Sequence, residues 1–559
     1  MELTVDVVVV GSGAGGLATA VVAAKLGLDV VLLESAPWFG GTTAYSGGAA
    51  WIPCNRHMTA LGLGDSRAEA ETYLREMLGD HFEQDKMDAF LDQGTAMLDF
   101  LEQHSELKLV ASDFPDYETL PGAKCGRTLF TADFDARRLG ELRTRLRPPR
   151  RDTLLFHSLQ LSMFDPLMLK QAHKSWPAFI YSMKLFGGYL RDRLRYGRGA
   201  RLCNGNALIA RLLYSAQQAG VKLWSQAPAT RLLTADGGVT GVVAVKDGED
   251  IQLRARRGVM LASGGFGANA EMRARYVPHA AYGLNLQPES CRGDGLRMGL
   301  EAGGTLVENN IANGIWQIIS PFARDDASWD VAIYALDRLS PGSLFVDAAT
   351  GKRFVNEATN YHNFVRVMHE QGIKRCWMIS EAPAARKYGI GVAKPWPFPI
   401  AHWIRKGYLK TAPSIATLAE RIGVEAHTLN ATVARFNEYA DMGEDPDFHR
   451  GEDAYSRYLG DREHRPNPSL GALHTPPFYA VEFRPGETST LVGLHTNASA
   501  QVLDRHGAPI PGLYAAGLDN NTLMRGSYPG GGCSIGPAMT FGYIASRRMA
   551  GVESSSPGH

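Results

Sequence analysis

The first apolar run, Val5 to Val10, is interrupted only by Asp6 and is otherwise all valine, the pattern of a strand buried on both faces. It empties into Gly11-Ser12-Gly13-Ala14-Gly15-Gly16, after which Leu17 to Lys25 reads as a helix, and Asp29 to Leu33 predicts a second strand ending on Glu34. The strand-to-glycine pattern returns where Gly258 to Ala262 meets Ser263-Gly264-Gly265-Phe266, and again at Gly512 to Ala516 before Gly517-Leu518-Asp519. Between these pieces the signals are mixed, with a strand at Gly342 to Asp347 and a helix over Ser414 to Tyr439. The pattern predicts an α/β protein. A Rossmann-like parallel-sheet domain is assembled from 1–285 and 475–559, with an α+β capping domain inserted at 286–474.

The glycines explain themselves chemically in G-x-G-x-x-G. Gly11 permits a tight turn, Gly13 lets the backbone approach a pyrophosphate, Gly16 lets helix and strand pack closely, and the helix start faces the phosphates. Glu34, at the second strand's end, is placed to bind ribose hydroxyls. A dinucleotide site follows. Gly40-Gly41-Thr42-Thr43-Ala44-Tyr45-Ser46-Gly47-Gly48 is a second small-residue cluster, suited to running along an extended cofactor. No further G-x-G-x-x-G stands between a strand and a helix, so a dedicated NAD(P)H domain is not predicted, and electrons leave to a quinone, oxygen, a carrier protein or a second substrate.

Composition narrows the partners. Of 559 residues, 58 are Lys or Arg and 58 Asp or Glu, a formal net charge of zero that offers no field to nucleic acid. The start of the chain has no charged and apolar leader, so a cytoplasmic protein is expected. Cys54, Cys125, Cys203, Cys291, Cys376 and Cys533 show no metal-ligand spacing, and neither a metal nor a disulfide framework is predicted. From Trp176 to Leu190 an apolar segment with one charge, Lys184, abuts Arg191, Arg193, Arg195, Arg198 and Arg201. It is too short to span a bilayer, for which ~18 residues are needed. It reads as a buried helix with a solvated turn or as an interfacial segment of about 176–201 lying on a membrane. The tail Glu553 to His559 reads as disordered and lies outside the residues the structure describes.

The cluster from Gly40 to Gly48 resembles the GG-T…SGG segment of the fumarate reductase and succinate dehydrogenase flavoproteins. The resemblance implies FAD, held without a covalent bond because Thr42, Thr43, Ala44 and Tyr45 offer no histidine. It places cofactor contacts on Gly11, Ser12, Gly13, Ala14, Gly15, Gly16, Glu34, Gly40, Gly41, Thr42, Thr43, Ser46, Gly47, Gly48, Ala229, Gly264, Gly265, Gly517, Ser534 and Ile535. The helix opening near Gly536 points its dipole at the flavin pyrimidine.

Met524-Arg525-Gly526-Ser527-Tyr528-Pro529-Gly530-Gly531-Gly532 sets a tyrosine four residues before a glycine, and here the chain resembles the 3-ketosteroid Δ1-dehydrogenases. That resemblance implies that the Tyr528 hydroxyl and the Gly532 N–H bind the steroid 3-keto oxygen as an oxyanion hole. Arg353-Phe354-Val355-Asn356-Glu357 leads to Tyr361 as the base, and Asp116-Tyr117-Glu118, ahead of Pro121-Gly122 and Gly126-Arg127, supplies Tyr117 as its helper. Tyr361 then removes the C2 proton while hydride passes from C1 to flavin N5, a 1,2-desaturation belonging to steroid degradation. The implied partners are an apolar steroid and an external electron acceptor. A 4,5-desaturase, a fumarate or enoate reductase using Arg525 and His495, and a non-catalytic flavin module are the rival readings.

Overall fold

The structure, a computed structural model, describes residues 2–280, 282–324, 328–333 and 337–552. Five parallel strands form its first sheet in the order Lys222–Trp224, Val30–Leu33, Glu2–Val10, Glu249–Leu261, Pro509–Ala515. Glu2–Val10 is central, with Val7 opposite both Val30 and Gly258, which is why its valines are buried on both faces. The far edge of Glu249–Leu261 is shared. Its first half pairs antiparallel with Gly238–Lys246, which continues the meander to Ala229–Ala235, and its last three residues pair with Leu513 to Ala515. All three glycine turns therefore emerge at the carboxyl edge of adjacent parallel strands, where open α/β sheets bind ligands.

Helix Ala14–Lys25 packs on this sheet between the last helix, Ile535–Met549, and Asn204–Gln218. The close approach is built from small residues: a Cβ on Gly542 would stand 2.7 Å from the Thr19 hydroxyl and 2.9 Å from the Gly15 carbonyl oxygen.

A second, mainly antiparallel sheet runs Trp329–Ile333, Gly314–Ala323, Phe478–Thr490, Cys376–Glu381, Ser343–Asp347. This sheet takes strands from both sides of the boundaries expected at 285 and 475. Phe478–Thr490 is the spine of this sheet, pairing with Cys376–Glu381 through its first half and Gly314–Ala323 through its second, while Leu284–Asn285 adds alongside Gly486 and Glu487. Pro476-Pro477 reads as a boundary because it breaks the pairing, yet the strand that follows returns to the cap.

Candidate active site

Gly11 takes φ +106°, and a Cβ there would lie 2.0 Å from the Ala262 carbonyl oxygen; one on Gly16 would lie 2.0 Å from the Gly11 carbonyl oxygen. These two glycines seat the first turn on its neighbours. By contrast, a Cβ on Gly13 meets only the Thr43 hydroxyl at 3.6 Å, and Gly47 and Gly517 face nothing within 4 Å, so they border open space. The trough between is fixed by side chains: the Gly40 N–H donates to the Ser12 hydroxyl (2.8 Å), the Ala14 N–H to the Thr43 hydroxyl (3.2 Å), and the Ser46 hydroxyl to the Thr43 carbonyl (2.7 Å). Thr42 lies 3.6 Å from the Cys291 sulfur.

Glu34 is buried at one end, accepting from the Ser12 hydroxyl and the Ala36 N–H (2.9 Å). Beyond it opens a cavity of about 910 Å³ lined by Ser35, Trp38, Arg147, Ala229, Gln287 and Arg297 among others. A glycine-lined trough ending in a buried carboxylate, with arginines in the cavity beyond, fits an extended anionic dinucleotide. Gly48 and Gly265 do a different job in the structure. Their added Cβ atoms would strike Asn204 at 2.2 Å and the Thr490 hydroxyl at 2.5 Å, so they pack the trough's walls. Gly264, at φ +101°, lies against the Cys291 sulfur, and Gly41 beside Gly13; Ser534 caps helix Ile535–Met549.

The sequence pattern does not reveal Asp519. Its buried carboxylate accepts from the Ser263 N–H, the Ser263 hydroxyl (3.0 Å) and the Gly265 N–H (3.3 Å), tying the second turn to the third.

Three tyrosines from distant parts of the chain meet in one cluster. The Tyr361 hydroxyl donates to the Tyr528 hydroxyl at 2.6 Å. The Tyr117 ring stands 6.0 Å from Tyr361 and 5.4 Å from Tyr528, centroid to centroid. Tyr528 is buried, while Tyr117 and Tyr361 are half-buried. Gly532 takes φ +91° because its backbone lies flat on strand Ala49–Trp51: a Cβ would be 2.3 Å from the Ala49 carbonyl oxygen, and the Trp51 N–H donates to the Gly532 carbonyl at 3.2 Å. The Gly532 N–H donates to nothing among the described residues.

Each tyrosine is held by its own element. Tyr361 opens helix Tyr361–Glu370, capped by Asn360, whose side chain accepts from the Asn363 N–H. Tyr117 sits on a loop pinned by its N–H to the Pro529 carbonyl (2.9 Å), which also receives the Tyr73 hydroxyl (2.8 Å). Neighbouring Asp116 is fixed by Trp51 Nε1 (2.8 Å) and Arg127 (2.8 Å), and Arg127 also pairs with Asp65. Burial pushes the Asp116 carboxyl up to about 6 against the pull of Arg127. Glu118 points the other way, accepting from the Asn360 and Asn363 side chains at 2.6 and 2.5 Å, so the Tyr117 loop is clamped to the helix that Tyr361 opens.

Burial raises all three phenols well above 10. For Tyr361, Tyr528 adds to the rise, whereas a hydrogen bond from Tyr117 opposes it. Behind Tyr361, His362 accepts from the Trp316 N–H at 3.1 Å and stacks on Tyr528 (5.6 Å); burial drives it down to about 3, so it stays neutral. Tyr455 completes the wall, 4.7 Å from Tyr117. Neither Tyr455 nor His362 belongs to a motif that marks it in the sequence.

Residues 6–535 match the FAD binding domain family. Among curated proteins, the chain is 39% identical to 4-oxocyclohex-2-ene-1-carboxylate 5-dehydrogenase of Sinomonas cyclohexanicum, over 98% of this chain and 94% of that one. It is 36% identical to 3-oxosteroid 1-dehydrogenase of Mycobacterium tuberculosis, over 98% of each. Among solved structures, 3-ketosteroid Δ1-dehydrogenase of Sterolibacterium denitrificans, in complex with 1,4-androstadiene-3,17-dione, superposes with a TM-score of 0.90 at 34% identity, covering 98% of this chain and 100% of that one.

Proposed function

The chain belongs to the FAD-binding domain family, and from that premise we propose that it is a flavoenzyme introducing a 1,2 double bond into a 3-ketosteroid. The observation that carries this reading is the meeting of the Tyr361 and Tyr528 hydroxyls, 2.6 Å apart, on the ring cluster that includes Tyr117, whose hydroxyl lies against Gly531, the residue before Gly532. A ketone oxygen and its α-carbon are two bonds apart, so an oxygen-binding pair and a base have to converge in this way. Tyr528 and Gly532 hold the ketone oxygen and stabilise the charge that gathers there as the α-proton leaves. Tyr361 accepts that proton, and the Tyr117 hydroxyl stabilises its anion. Bound FAD supplies the two-electron acceptor for the hydride from the neighbouring carbon. Glu34 would hold its ribose and the Gly13–Ala14 backbone its pyrophosphate.

The 39% identity to a dehydrogenase named for a 4-oxocyclohexene carboxylate favours a second substrate for the same chemistry, a single oxo ring bearing a carboxylate. Anaerobic mixing with a 3-ketosteroid or with 4-oxocyclohexanecarboxylate, followed by flavin absorbance and product mass, separates the two. Bleaching by the steroid with formation of the 1,2-alkene is expected. Bleaching by the carboxylate alone moves the assignment to the small ring, and reoxidation of reduced enzyme by fumarate with no bleaching by either ketone overturns both.

No helix among the described residues is long and apolar enough to cross a membrane. Helix Trp176–Tyr196 nevertheless presents Trp176, Met183, Leu190 and Leu194 to solvent beside its arginines, and the reading includes its docking on an anionic membrane surface from which an apolar substrate is drawn.

A further inference from the structure

Arg147 is a buried cation on the wall of the cofactor trough with no anion beside it. It is 5% exposed, its Nε is buried with no hydrogen-bond partner, its Nη2 reaches only the Ser290 hydroxyl at 3.4 Å, and no carboxylate pairs with it among the described residues. The other arginines lining the cavity of about 910 Å³ are accounted for. Arg150 pairs with Asp152 (3.1 Å), Arg297 with Glu301 (2.9 Å) and Arg324 with Asp330 (2.5 Å), while Arg151 and Arg292 are exposed to water. A guanidinium withdrawn from water is costly unless an anion faces it.

The backbone sets this guanidinium against the second glycine cluster. The Arg147 N–H donates to the Phe39 carbonyl (2.9 Å) and the Phe39 N–H to the Arg145 carbonyl (2.7 Å). The Asn206 side chain donates both to the Arg147 carbonyl (3.2 Å) and to that of Ala44 (2.9 Å). So held, the guanidinium lies over the Tyr45 and Trp38 rings, 5.7 and 5.9 Å from their centroids. Its contact Ser290 leads into Cys291, whose sulfur meets Thr42 at 3.6 Å, and the next hydroxyl, Thr43, takes the Ala14 N–H at 3.2 Å. Arg147 is thus joined, through one short run of contacts, to the start of the helix that faces the phosphates.

We infer that Arg147 is the counter-charge of the FAD pyrophosphate. The pyrophosphate is a dianion, and the start of helix Ala14–Lys25 answers it with only about half a charge. A guanidinium adds a whole charge and a fork of N–H groups that matches phosphate oxygens in pairs. Its aromatic seat on Tyr45 and Trp38 holds the side chain in place without neutralising it. The inference rests on FAD as the cofactor and is independent of which ketone is oxidised; Arg147 binds, and moves neither proton nor electron.

The test follows FAD release on dilution of the holoenzyme, by recovery of flavin fluorescence, beside melting of the full chain stripped of flavin. Arg147→Met keeps an apolar stem over Tyr45 and Trp38 and deletes the charge. It is expected to raise the FAD dissociation constant about 10- to 100-fold, the loss of a charge-assisted hydrogen bond. The stripped variant is expected to melt at the wild-type temperature or above it, because an unpaired buried cation has gone. A residue that served packing alone would instead lower the melting temperature with or without flavin. Arg147→Lys, which keeps the charge but not the fork, is expected to recover part of the lost affinity. An unchanged dissociation constant in Arg147→Met, a stripped Arg147→Met protein that melts lower or does not fold, or an Arg147→Lys protein that holds FAD no better than Arg147→Met each overturns the proposal. No ketone enters these measurements, so they decide the role of Arg147 apart from the bleaching assay that decides the function.

Discussion

Tyr361 owes its chemistry to opposing forces on one hydroxyl. Burial and the neighbouring Tyr528 raise it well above the usual phenol value, while Tyr117 and the start of its own helix favour the anion. A base must be unprotonated to act, so a raised value means that activity climbs with pH through the neutral and alkaline range. Tyr117→Phe removes a stabilising donor and is expected to move the acid limb of kcat/KM further up. A limb that stays put or moves down removes Tyr117 from the helper role. Tyr361→Phe is expected to abolish turnover with FAD still bound, and Tyr528→Phe to lower kcat by about 10²–10³-fold, the usual loss on removing one oxyanion donor. Stopped-flow bleaching over a pH series reads all three. Much of this site was legible residue by residue, because Tyr528, Gly532 and Tyr361 sit in short motifs. Tyr455 was not, since it lies after an ordinary Asp453 helix cap, and only tertiary packing brings it beside Tyr117.

Among the elements, the strand-turn-helix units were the most readable, because a β-branched run followed by glycines has few other solutions. Phe478–Thr490 was harder: it follows a double proline and serves two partner strands along its length, which gives no single alternation to detect. Helix Trp176–Tyr196 divided the reading between a buried and an interfacial element. In the structure the side chains it buries among its described residues are those of Ala178, Ser182 and Asp192, while Trp176 is 76% and Leu194 81% exposed. A helix that turns apolar residues outward with Arg191, Arg193 and Arg195 nearby suits an anionic lipid surface. Co-sedimentation with vesicles containing phosphatidylglycerol is expected to retain the wild-type protein at low salt and to release much of it at high salt. Trp176→Ser combined with Leu194→Ser is expected to lose retention without loss of bleaching by a dissolved ketone. Wild-type protein that stays in the supernatant at low salt rules out the membrane role.

At the scale of the molecule, the cofactor trough is not the property of any contiguous segment. Its turns at 11–16, 263–265 and 517–519 come from the start, the middle and the end of the chain, and the connection between the last two is the buried Asp519 carboxylate. Such a site cannot be complete before the whole first sheet has assembled, so ligand binding and folding are linked: FAD that binds only the native state adds about 2.7 kcal/mol at 100 times its dissociation constant. Asp519→Asn tests how much of that linkage passes through one side chain. The amide keeps the volume but weakens acceptance from two backbone N–H groups and a hydroxyl; hydrogen bonds to a charged group contribute about 1.5–3 kcal/mol. The variant is expected to emerge from gel filtration with less FAD than wild type and to melt at a lower temperature, with the gap narrowing as free FAD is added. Its bleaching rate at saturating FAD should stay near that of wild type, because Asp519 lies in the turns and not among the tyrosines. Full flavin content together with an unchanged melting temperature would mean that the turns hold their register without it, and that the glycine contacts of Gly11 and Gly16 and the hydrogen bonds of Ser12, Thr43 and Ser46 suffice to fix the trough.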